Sequence, residues 1–215
     1  MSIKLFWEDT YSARNDARVT SVEGDVITVD RTVAFAFPGG QVFDTGTIGG
    51  KPIVDARYDK EKLEVYYTLP RDHGLKTGDT VTVEIGWDRR YALMKLHFIA
   101  ELALVVLCNH YGRHKLYRAD ILPEKAVLGF EWEIDIAEAF PLLETKLKEL
   151  IAQDISIISN WEDKAAEKRY WEIPGLAKVP CGGTHLKKTG EIGGFSLKKT
   201  SPGSGKAEFE LYLVS

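Results

Sequence analysis

The fold is decided by the stretch DRRYALMKLHFIAELALVVLCNHYG, residues 88–112, where a β-rich pattern gives way to a long apolar helix. Asp88 belongs to the residue types that begin helices by accepting backbone hydrogen bonds, and Gly112 is typical of a helix end. Leucine and alanine outweigh the β-branched residues between them, so we predict one helix of about five to six turns. Because the helix is apolar on most sides, we expect it to be buried.

The chain before this helix has the pattern of β structure. Short apolar runs rich in β-branched residues recur about every ten residues, with turn residues between them. They lie at 17–24, 25–30, 32–37, 51–58, 62–69 and 79–86. The segment PGGQVFDTGTIGG, residues 38–50, is so rich in glycine that it must form a loop or a tight hairpin. We therefore predict a β-rich N-terminal domain over 1–86, built as a small barrel-like or sandwich structure.

The chain from residue 87 onward mixes helical and strand patterns. We predict, in order, a β-like stretch, a second helix, a strand, a charged helical or loop segment, a cysteine-containing loop and two final strands. Apart from the loop, these segments cover residues 115–136, 137–154, 155–159, 161–170, 193–201 and 206–215. This order indicates an α+β domain over 87–215, with helices packed on an antiparallel sheet.

The composition is that of an ordinary soluble globular protein, because 44% of the 215 residues are hydrophobic and 28% are charged. No window approaches 18 uninterrupted apolar residues, so we expect no membrane span. The N-terminal MSIKLFWEDTY lacks the apolar core of a signal peptide. With only two cysteines, Cys108 and Cys181, disulfide stapling is not expected, and a reducing cytoplasmic location fits better.

The charge is unevenly distributed along the chain. A net charge of −4 argues against non-specific binding of nucleic acid over the whole surface, and we expect no DNA partner. Residues 131–154 hold seven acids against two lysines, whereas residues 181–206 hold five lysines against the single acid Glu191. The second segment is compatible with a local basic face, and equally with an ordinary solvated surface.

Two pairs of polar residues have the spacing of metal ligands. The loop PCGGTHLKKTGEIG, residues 180–193, places Cys181 and His185 four apart, and the long helix places His97 and Glu101 on one face. An apolar helix has little reason to carry two polar groups inward unless something satisfies them. Thiolate, imidazole and carboxylate all suit zinc, so the four residues predict a site for one Zn²⁺ per chain. An ordinary hydrogen-bonded His–Glu pair and an incidental Cys–His spacing are the alternatives.

The cysteine loop resembles a known family. PCGGTHLKKTGEIG is similar to the terminal signature of the editing domain of alanyl-tRNA synthetases, which also occurs in free-standing alanyl-tRNA editing proteins of the AlaX type. PGGQVFDTGTI resembles the glycine-rich segment that precedes that domain, and WDRRYALMKLHFIAELALVV aligns with its H-x3-H helix. The resemblance runs from about Phe37 to the C-terminus. Two positions depart from it, since Glu101 stands where the family has a second histidine and Phe98 where it has a small hydroxyl residue.

The resemblance implies a zinc-dependent deacylase that hydrolyses tRNA carrying the wrong amino acid, typically serine or glycine on alanine tRNA. Its partner would be the acceptor end of tRNA, and His97, Cys181 and His185 would hold zinc with Glu101 as fourth ligand. Alternatively, Glu101 acts as a base, or the altered site is degenerate. Phe98 adds bulk, so the pocket would prefer a different amino acid from the family's usual one.

Further roles follow from the same resemblance. Gln41 would line the amino-acid pocket, and Gly39 and Gly40 would let backbone amides approach the terminal ribose or phosphate. Thr184 would supply a hydroxyl beside the metal, or alternatively stabilise the turn. The acceptor-stem phosphates would contact lysines 187, 188, 198 and 199. Gln41, Glu101 and Thr184 are thus the predicted catalytic residues.

Two competing functions fit the same residues. One is a non-catalytic tRNA-binding relative whose metal site has changed at Phe98 and Glu101. The other is a metallohydrolase that acts on a free small molecule. The amino acid removed, the tRNA recognised and the oligomeric state are left open by the sequence.

Overall fold

The computed structural model describes residues 1–200 and 203–214, and the chain divides into two compact units. The first unit comprises Met1–Pro38 and Val42–Tyr91, and the second comprises Gly39–Gln41 together with the chain from Ala92 onward. One division falls at the glycine-rich segment and the other inside the long helix. The domain boundary at residue 87 stays a prediction. The α+β class is confirmed, because few helices accompany mostly antiparallel strands.

The first unit is mainly β structure. Its elements are β1 (Ile3–Lys4), α1 (Leu5–Glu8), β2 (Arg14–Glu23), β3 (Val26–Val29), β4 (Arg31–Thr32), β5 (Gly46–Ile48), β6 (Lys51–Pro52), β7 (Asp55–Asp59), β8 (Glu64–Thr68) and β9 (Thr80–Ile85). The main sheet is antiparallel in the order β6-β5-β9-β2-β3-β8-β7, and β1 pairs with β4 in parallel. Since the order has two ends, the strands of this unit, all of them described, form an open sheet.

The long strand β2 joins the two halves of that sheet. Its first part pairs with β9 through Arg14–Arg18, and its second part pairs with β3 from Val19 onward. A register shift between Val19 and Ser21 lies at the start of the pairing with β3, and such bulges bend a strand. The apolar faces of both halves therefore close on one core, which includes Val19, Ile27 and Val83.

The strand predicted at 32–37 is wrong beyond Thr32. Residues 33–36 are buried but irregular, and their amide groups bond to side chains instead of to a neighbouring strand. Val33 N–H donates to Asn15 Oδ1 (2.9 Å), and Phe35 N–H donates to Asp44 Oδ2 (2.7 Å). Side-chain acceptors of this kind compete with sheet formation, which an apolar pattern does not reveal.

The remaining elements begin with the long helix α2 (Trp87–Tyr111). The others are β10 (Lys115–Ile121), β11 (Ala126–Glu131), a 3-10 turn (Ile136–Ala139), α3 (Phe140–Ala152), β12 (Ile158–Asp163), β13 (Lys168–Ile173), β14 (Ala177–Pro180), a second 3-10 turn (Thr189–Ile192), β15 (Gly194–Thr200) and β16 (Lys206–Val214). The predicted ends at Ser201 and Ser215 lie outside the described residues.

The helix α2 is confirmed and is longer than predicted, with 25 residues or about seven turns. By length and composition alone it could span a membrane, but 67% of its most apolar window is buried inside the fold. A mostly buried apolar helix is what the core of a globular protein contains.

Two antiparallel sheets form the β structure of the second unit, in the orders β10-β11-β16-β15 and β12-β13-β14. Phe140, at the start of α3, packs edge-on against Phe209 of β16, with ring centroids 5.9 Å apart. Helix and sheet thus share a core, as predicted for this part of the chain.

Two local predictions in the second unit are wrong. The predicted strand at 155–159 begins only at Ile158, and the predicted helical or loop segment at 161–170 is a hairpin formed by β12 and β13. In β13, buried residues alternate with less buried ones, and this period of two is that of a strand. The many charges of the segment masked the alternation.

Candidate metal centre and active site

Three side chains of the second unit converge on one point. His97 comes from α2, and Cys181 and His185 come from the loop that follows β14. Cys181 Sγ lies 3.5 Å from His97 Nε2 and 3.3 Å from His185 Nε2. One ligand atom from each residue lies within 4.8 Å of the others, and both imidazoles are buried while the cysteine is partly exposed. The three residues are a group that could bind a metal ion.

The local sequence explains why these side chains meet. His97 lies on α2 between Leu96 and Phe98, and all three side chains are buried. The cysteine loop is anchored by Cys181 N–H, which donates to Arg169 O of β13 (3.0 Å). Gly183 is required here because a Cβ atom at this position would lie only 1.9 Å from His97 Cε1. The glycine lets the loop pass directly over the imidazole.

Gln41 and Thr184, both predicted as catalytic, lie beside His97. Gln41 Oε1 is 2.8 Å from His97 Nδ1, and Gln41 Nε2 donates to Thr184 Oγ1 (2.9 Å). Thr184 N–H also donates to Gln41 Oε1 (3.2 Å). In this network Gln41 Oε1 accepts from His97 Nδ1–H, so Nε2 is the nitrogen that faces Cys181 Sγ and could bind a metal ion. The catalytic roles of Gln41 and Thr184 stay predictions.

The backbone conformation and close packing explain why glycine precedes Gln41. Gly40 has a φ of 95°, and a Cβ atom there would lie 2.1 Å from Ala119 O of β10. Ile121 N–H donates to Gly40 O (2.8 Å), which ties the glycine-rich segment to the edge of that strand. Gly39 also has a positive φ, 144°, with open space where its Cβ would point. Close backbone approach at Gly40 thus serves β10, and the predicted contact of both glycines with substrate stays a prediction.

Glu101 lies at the border of the group. Its Oε1 is 3.4 Å from His97 Nε2, and its Oε2 accepts a hydrogen bond from Trp171 Nε1 (3.3 Å). Among the described residues, the set whose ligand atoms all lie within 4.8 Å of one another does not include Glu101. Its side chain is 15% exposed, so one side of the cluster is accessible. The two predicted roles of Glu101, as a metal ligand or as a base, stay predictions.

The pKa values of the two imidazoles shift in opposite directions. Burial lowers the pKa of His97, but the charges of Cys181 and Glu101 outweigh it and raise this pKa to about 10. Burial, reinforced by the positive charges of His97 and Arg169, holds the pKa of His185 well below its usual value. Burial raises the pKa of Glu101, but the hydrogen bond and the positive charge of His97 lower it. Together with smaller contributions they outweigh burial, so the pKa of Glu101 lies below its usual value. His97 is therefore the more basic of the two imidazoles.

Comparison with known proteins identifies the family. Residues 172–207 match the family model described as the threonyl and alanyl tRNA synthetase second additional domain. The chain is 34% identical to the alanyl-tRNA editing protein AlaX-M of Pyrococcus horikoshii, over 99% of this chain and 98% of that protein. This chain belongs to the alanyl-tRNA editing protein family. The AlaX-M protein of Methanosarcina mazei is 27% identical over 99% of the chain and 96% of its own length.

The alanyl-tRNA editing family extends into larger proteins. The alanine–tRNA ligase of Sulfurisphaera tokodaii is 31% identical over 90% of this chain, which corresponds to 24% of the ligase. The resemblance drawn from the cysteine loop, the glycine-rich segment and the helix is thereby confirmed.

In this alanyl-tRNA editing family member, Phe98 belongs to the wall behind the cluster. It is fully buried, and its ring packs edge-on against Trp171 (5.0 Å between centroids) and His185 (6.0 Å). Phe98 is thus one of the side chains that pack against the His185 ring. Its predicted effect on substrate choice stays a prediction.

The predicted basic face of this family member is partly neutralised. Lys188 Nζ lies 2.8 Å from Asp154 Oδ2, and Lys199 Nζ lies 2.7 Å from Asp135 Oδ2. Lys198 stands opposite Glu210 in the pairing of β15 with β16. The backbone N–H of Lys187 donates to Glu191 Oε1 (3.1 Å), a bond that does not involve its ammonium group. Contact of these lysines with tRNA stays a prediction.

Sequence reasoning missed three residues that surround the cluster. Trp171 bonds to Glu101, Arg169 anchors the cysteine loop through its carbonyl, and Ser159 Oγ lies 3.3 Å from His185 Nδ1. All three belong to the β12–β13 hairpin, which was not predicted. The alternation of Arg169, Trp171 and Ile173 was the available signal.

Proposed function

We propose that this protein is a zinc-dependent deacylase that hydrolyses the ester between a wrong amino acid and alanine tRNA, with serine and glycine as the amino acids removed. The full-length likeness to proteins named alanyl-tRNA editing protein supports the reaction class. The buried group of His97, Cys181 and His185 supports the metal. The substrate is the acceptor end of tRNA, and the protein acts in the cytoplasm, where tRNA is charged.

The residues fit zinc by their chemistry and spacing. One thiolate and two imidazoles are ligands that zinc prefers. With bonds of about 2.0–2.3 Å, tetrahedral zinc ligands lie about 3.3–3.8 Å from one another. The two nitrogen–sulfur distances, 3.5 Å and 3.3 Å, have this spacing. When bound, zinc supplies a Lewis acid that polarises an ester carbonyl.

The chain itself supplies orientation and proton transfer. Gln41 holds His97 in one tautomer, and Thr184 holds Gln41. Glu101 is ionised at neutral pH because its pKa is depressed, and it is partly exposed beside the cluster. In its predicted alternative role as a base, this carboxylate accepts the proton of a water molecule that attacks the ester carbon, and its depressed pKa makes it a weaker base than an unperturbed glutamate. An aminoacyl ester is already activated, so positioning supplies much of the remaining catalysis.

The deciding experiment combines metal analysis with deacylation of charged tRNA. We expect zinc near one per chain, and hydrolysis of Ser- and Gly-tRNA(Ala) but not of Ala-tRNA(Ala). Cys181→Ala should lose both zinc and activity, whereas Cys108→Ala, the other free cysteine, should keep both. A zinc-loaded protein that binds tRNA but hydrolyses neither mischarged species would overturn the proposal in favour of a non-catalytic relative. Hydrolysis restricted to free small-molecule esters would favour the other metallohydrolase.

The role of Glu101 is tested by two substitutions. As a base, Glu101→Gln should lower kcat by about 10²–10⁴ while the zinc content stays near one per chain. Glu101→His should also lose activity, because an imidazole restores the family pattern but not this carboxylate. Loss of zinc from Glu101→Gln would show instead that Glu101 is the fourth ligand. A gain of activity in Glu101→His would show that the site of this chain is degenerate.

A further inference from the structure

One side of the cluster borders the strand β12. Both imidazoles are buried, whereas Cys181 is partly exposed and the Glu101 side chain is 15% exposed. Ser159 of β12 is exposed, yet its Oγ reaches His185 Nδ1 (3.3 Å). The residues of β12 that share a face with Ser159 therefore lie beside a partly exposed side of the cluster.

The pairing of β12 with β13 identifies those residues. Ser159 is opposite Trp171, and Trp161 is opposite Arg169. Residues directly opposite in an antiparallel pair lie on the same face of the sheet. Since Ser159 contacts His185 and Trp171 contacts Glu101, this face is the one that borders the cluster. Trp161 and Arg169 thus belong to the same wall.

Trp161 and Arg169 form a stacked pair. The guanidinium carbon of Arg169 lies 4.5 Å from the centroid of the Trp161 ring, and Arg169 is buried while Trp161 is only partly buried. The buried cation holds the indole in one orientation, and part of the ring remains in contact with solvent. An aromatic plane fixed in this way suits stacking of a nucleobase, which is worth a large share of the affinity for single-stranded ends of RNA.

We propose that Trp161 is the stacking platform for the terminal base of the aminoacyl-tRNA, and that Arg169 is the positioning residue that holds it. This inference rests on the proposed function, which requires the ester to reach the cluster. Cys181 follows β14, and Trp161 lies two strands away on β12, a separation of about 10 Å. A nucleoside with its base on Trp161 has the length to place its ribose ester beside Cys181. Because every base has a stacking face, this contact supplies affinity rather than base identity.

The same sheet provides a matched control. On the opposite face, Lys178 Nζ lies 3.9 Å from the centroid of the Tyr170 ring, so the same kind of cation–aromatic pair occurs away from the cluster. Tyr170 and Arg169 are neighbours on β13 and therefore point to opposite faces. Tyr170→Ala thus removes a comparable surface contact from the hairpin without touching the proposed platform.

The test uses a hydrolysis-resistant probe, adenosine with serine joined to its 3′ position by an amide, and a second probe in which the base is absent. In the zinc-loaded protein, Trp161→Ala should weaken binding of the adenosine probe about tenfold and leave binding of the baseless probe unchanged. Trp161→Phe should keep most of the affinity, and Tyr170→Ala all of it. For tRNA hydrolysis, Trp161→Ala should raise KM by a similar factor at nearly constant kcat.

The role of Arg169 is tested separately, by comparing how two Arg169 variants bind the adenosine probe. Arg169→Lys, which retains a cation under the ring, should bind the adenosine probe more tightly than Arg169→Met, while both retain zinc. If Trp161→Ala and Tyr170→Ala bind the probe equally well while the protein still deacylates tRNA, the stacking role of Trp161 is overturned and the proposed function is retained. Equal loss for both probes would show that Trp161 supports the fold rather than the base. A parent protein that neither binds the probe nor deacylates tRNA would overturn the platform and the proposed function together.

Discussion

Two groups of buried polar side chains in this protein differ in how their hydrogen-bonding atoms are partnered. In the first unit, Arg90 is 0% exposed and forms an ion pair with Asp44. Its Nε donates to Asp44 Oδ1 (3.0 Å), and its remaining nitrogens donate to the carbonyls of Thr10 (3.2 Å) and Val33 (2.7 Å). The protein alone satisfies every group of this network.

The cluster in the second unit is arranged differently. His97 Nε2 and His185 Nε2 both point at Cys181 Sγ, and the pKa values of the two imidazoles shift in opposite directions. Here the two imidazoles and the thiol converge on one point instead of on separate partners. A buried ion pair with full hydrogen bonding is complete within the protein, whereas buried side chains that converge on one point form a group that could bind a metal ion.

The largest effect on stability is expected for Arg90→Met. Removing one partner of a buried ion pair leaves the other charge uncompensated, which costs about 3–5 kcal/mol. Urea unfolding of the zinc-loaded protein should show this loss, while the folded fraction keeps its zinc. The control is Arg89→Met, which removes a partly buried neighbour whose Nη1 donates to Phe43 O (2.7 Å) and should cost much less. Similar losses for both arginines would contradict the structural role assigned to the Arg90–Asp44 pair.

The second prediction concerns the close passage of the loop over His97. In Gly183→Ala the new methyl group must displace the His97 ring, since it would otherwise lie 1.9 Å from Cε1. Overpacking of this kind costs about 1–3 kcal/mol, and the displaced ring should also weaken zinc binding. The affinity is measured by competition with a chelating dye.

The control for that substitution is Gly86→Ala, because the nearest atom to a Cβ atom there, Thr45 Oγ1, is 3.3 Å away. It should leave zinc affinity unchanged. Unaltered zinc affinity in Gly183→Ala would show that the loop moves freely and that the observed approach is not required for the site.

Much of the cluster was predictable because its ligands are encoded locally. His97 and Glu101 share a helix face through their spacing of four, and Cys181 and His185 are four apart on one glycine-flanked loop. Likewise, the length of the apolar run and its excess of leucine and alanine predicted α2, since both are properties of the local sequence. These features need no knowledge of distant contacts.

The rest depends on distant partners. Gln41 and Thr184 are 143 residues apart, so the resemblance to a family could suggest that both matter but not that they bond to each other. The irregular run at 33–36 depends on acceptors from Asn15 and Asp44, which no apolar pattern contains. The stacked pair of Trp161 and Arg169 depends on the register of β12 and β13, which only the fold supplies.

Of the three predicted effects, the smallest is a loss of zinc affinity on substitution of Gln41. It tests whether a hydrogen-bond partner of His97 supports the cluster. Gln41→Ala removes the acceptor for His97 Nδ1–H, and loss of such a partner typically lowers metal affinity about 10–100-fold. Gln41→Glu keeps an acceptor at the same position, so it should bind zinc nearly as tightly as the parent protein. Competition with a chelating dye measures both affinities, with Gln153→Ala at the end of α3 as a control. If both Gln41 variants retain zinc but lose deacylation, the amide acts on the substrate rather than on His97. If both lose zinc equally, the amide nitrogen and its bond to Thr184, rather than the acceptor oxygen, hold the imidazole in place.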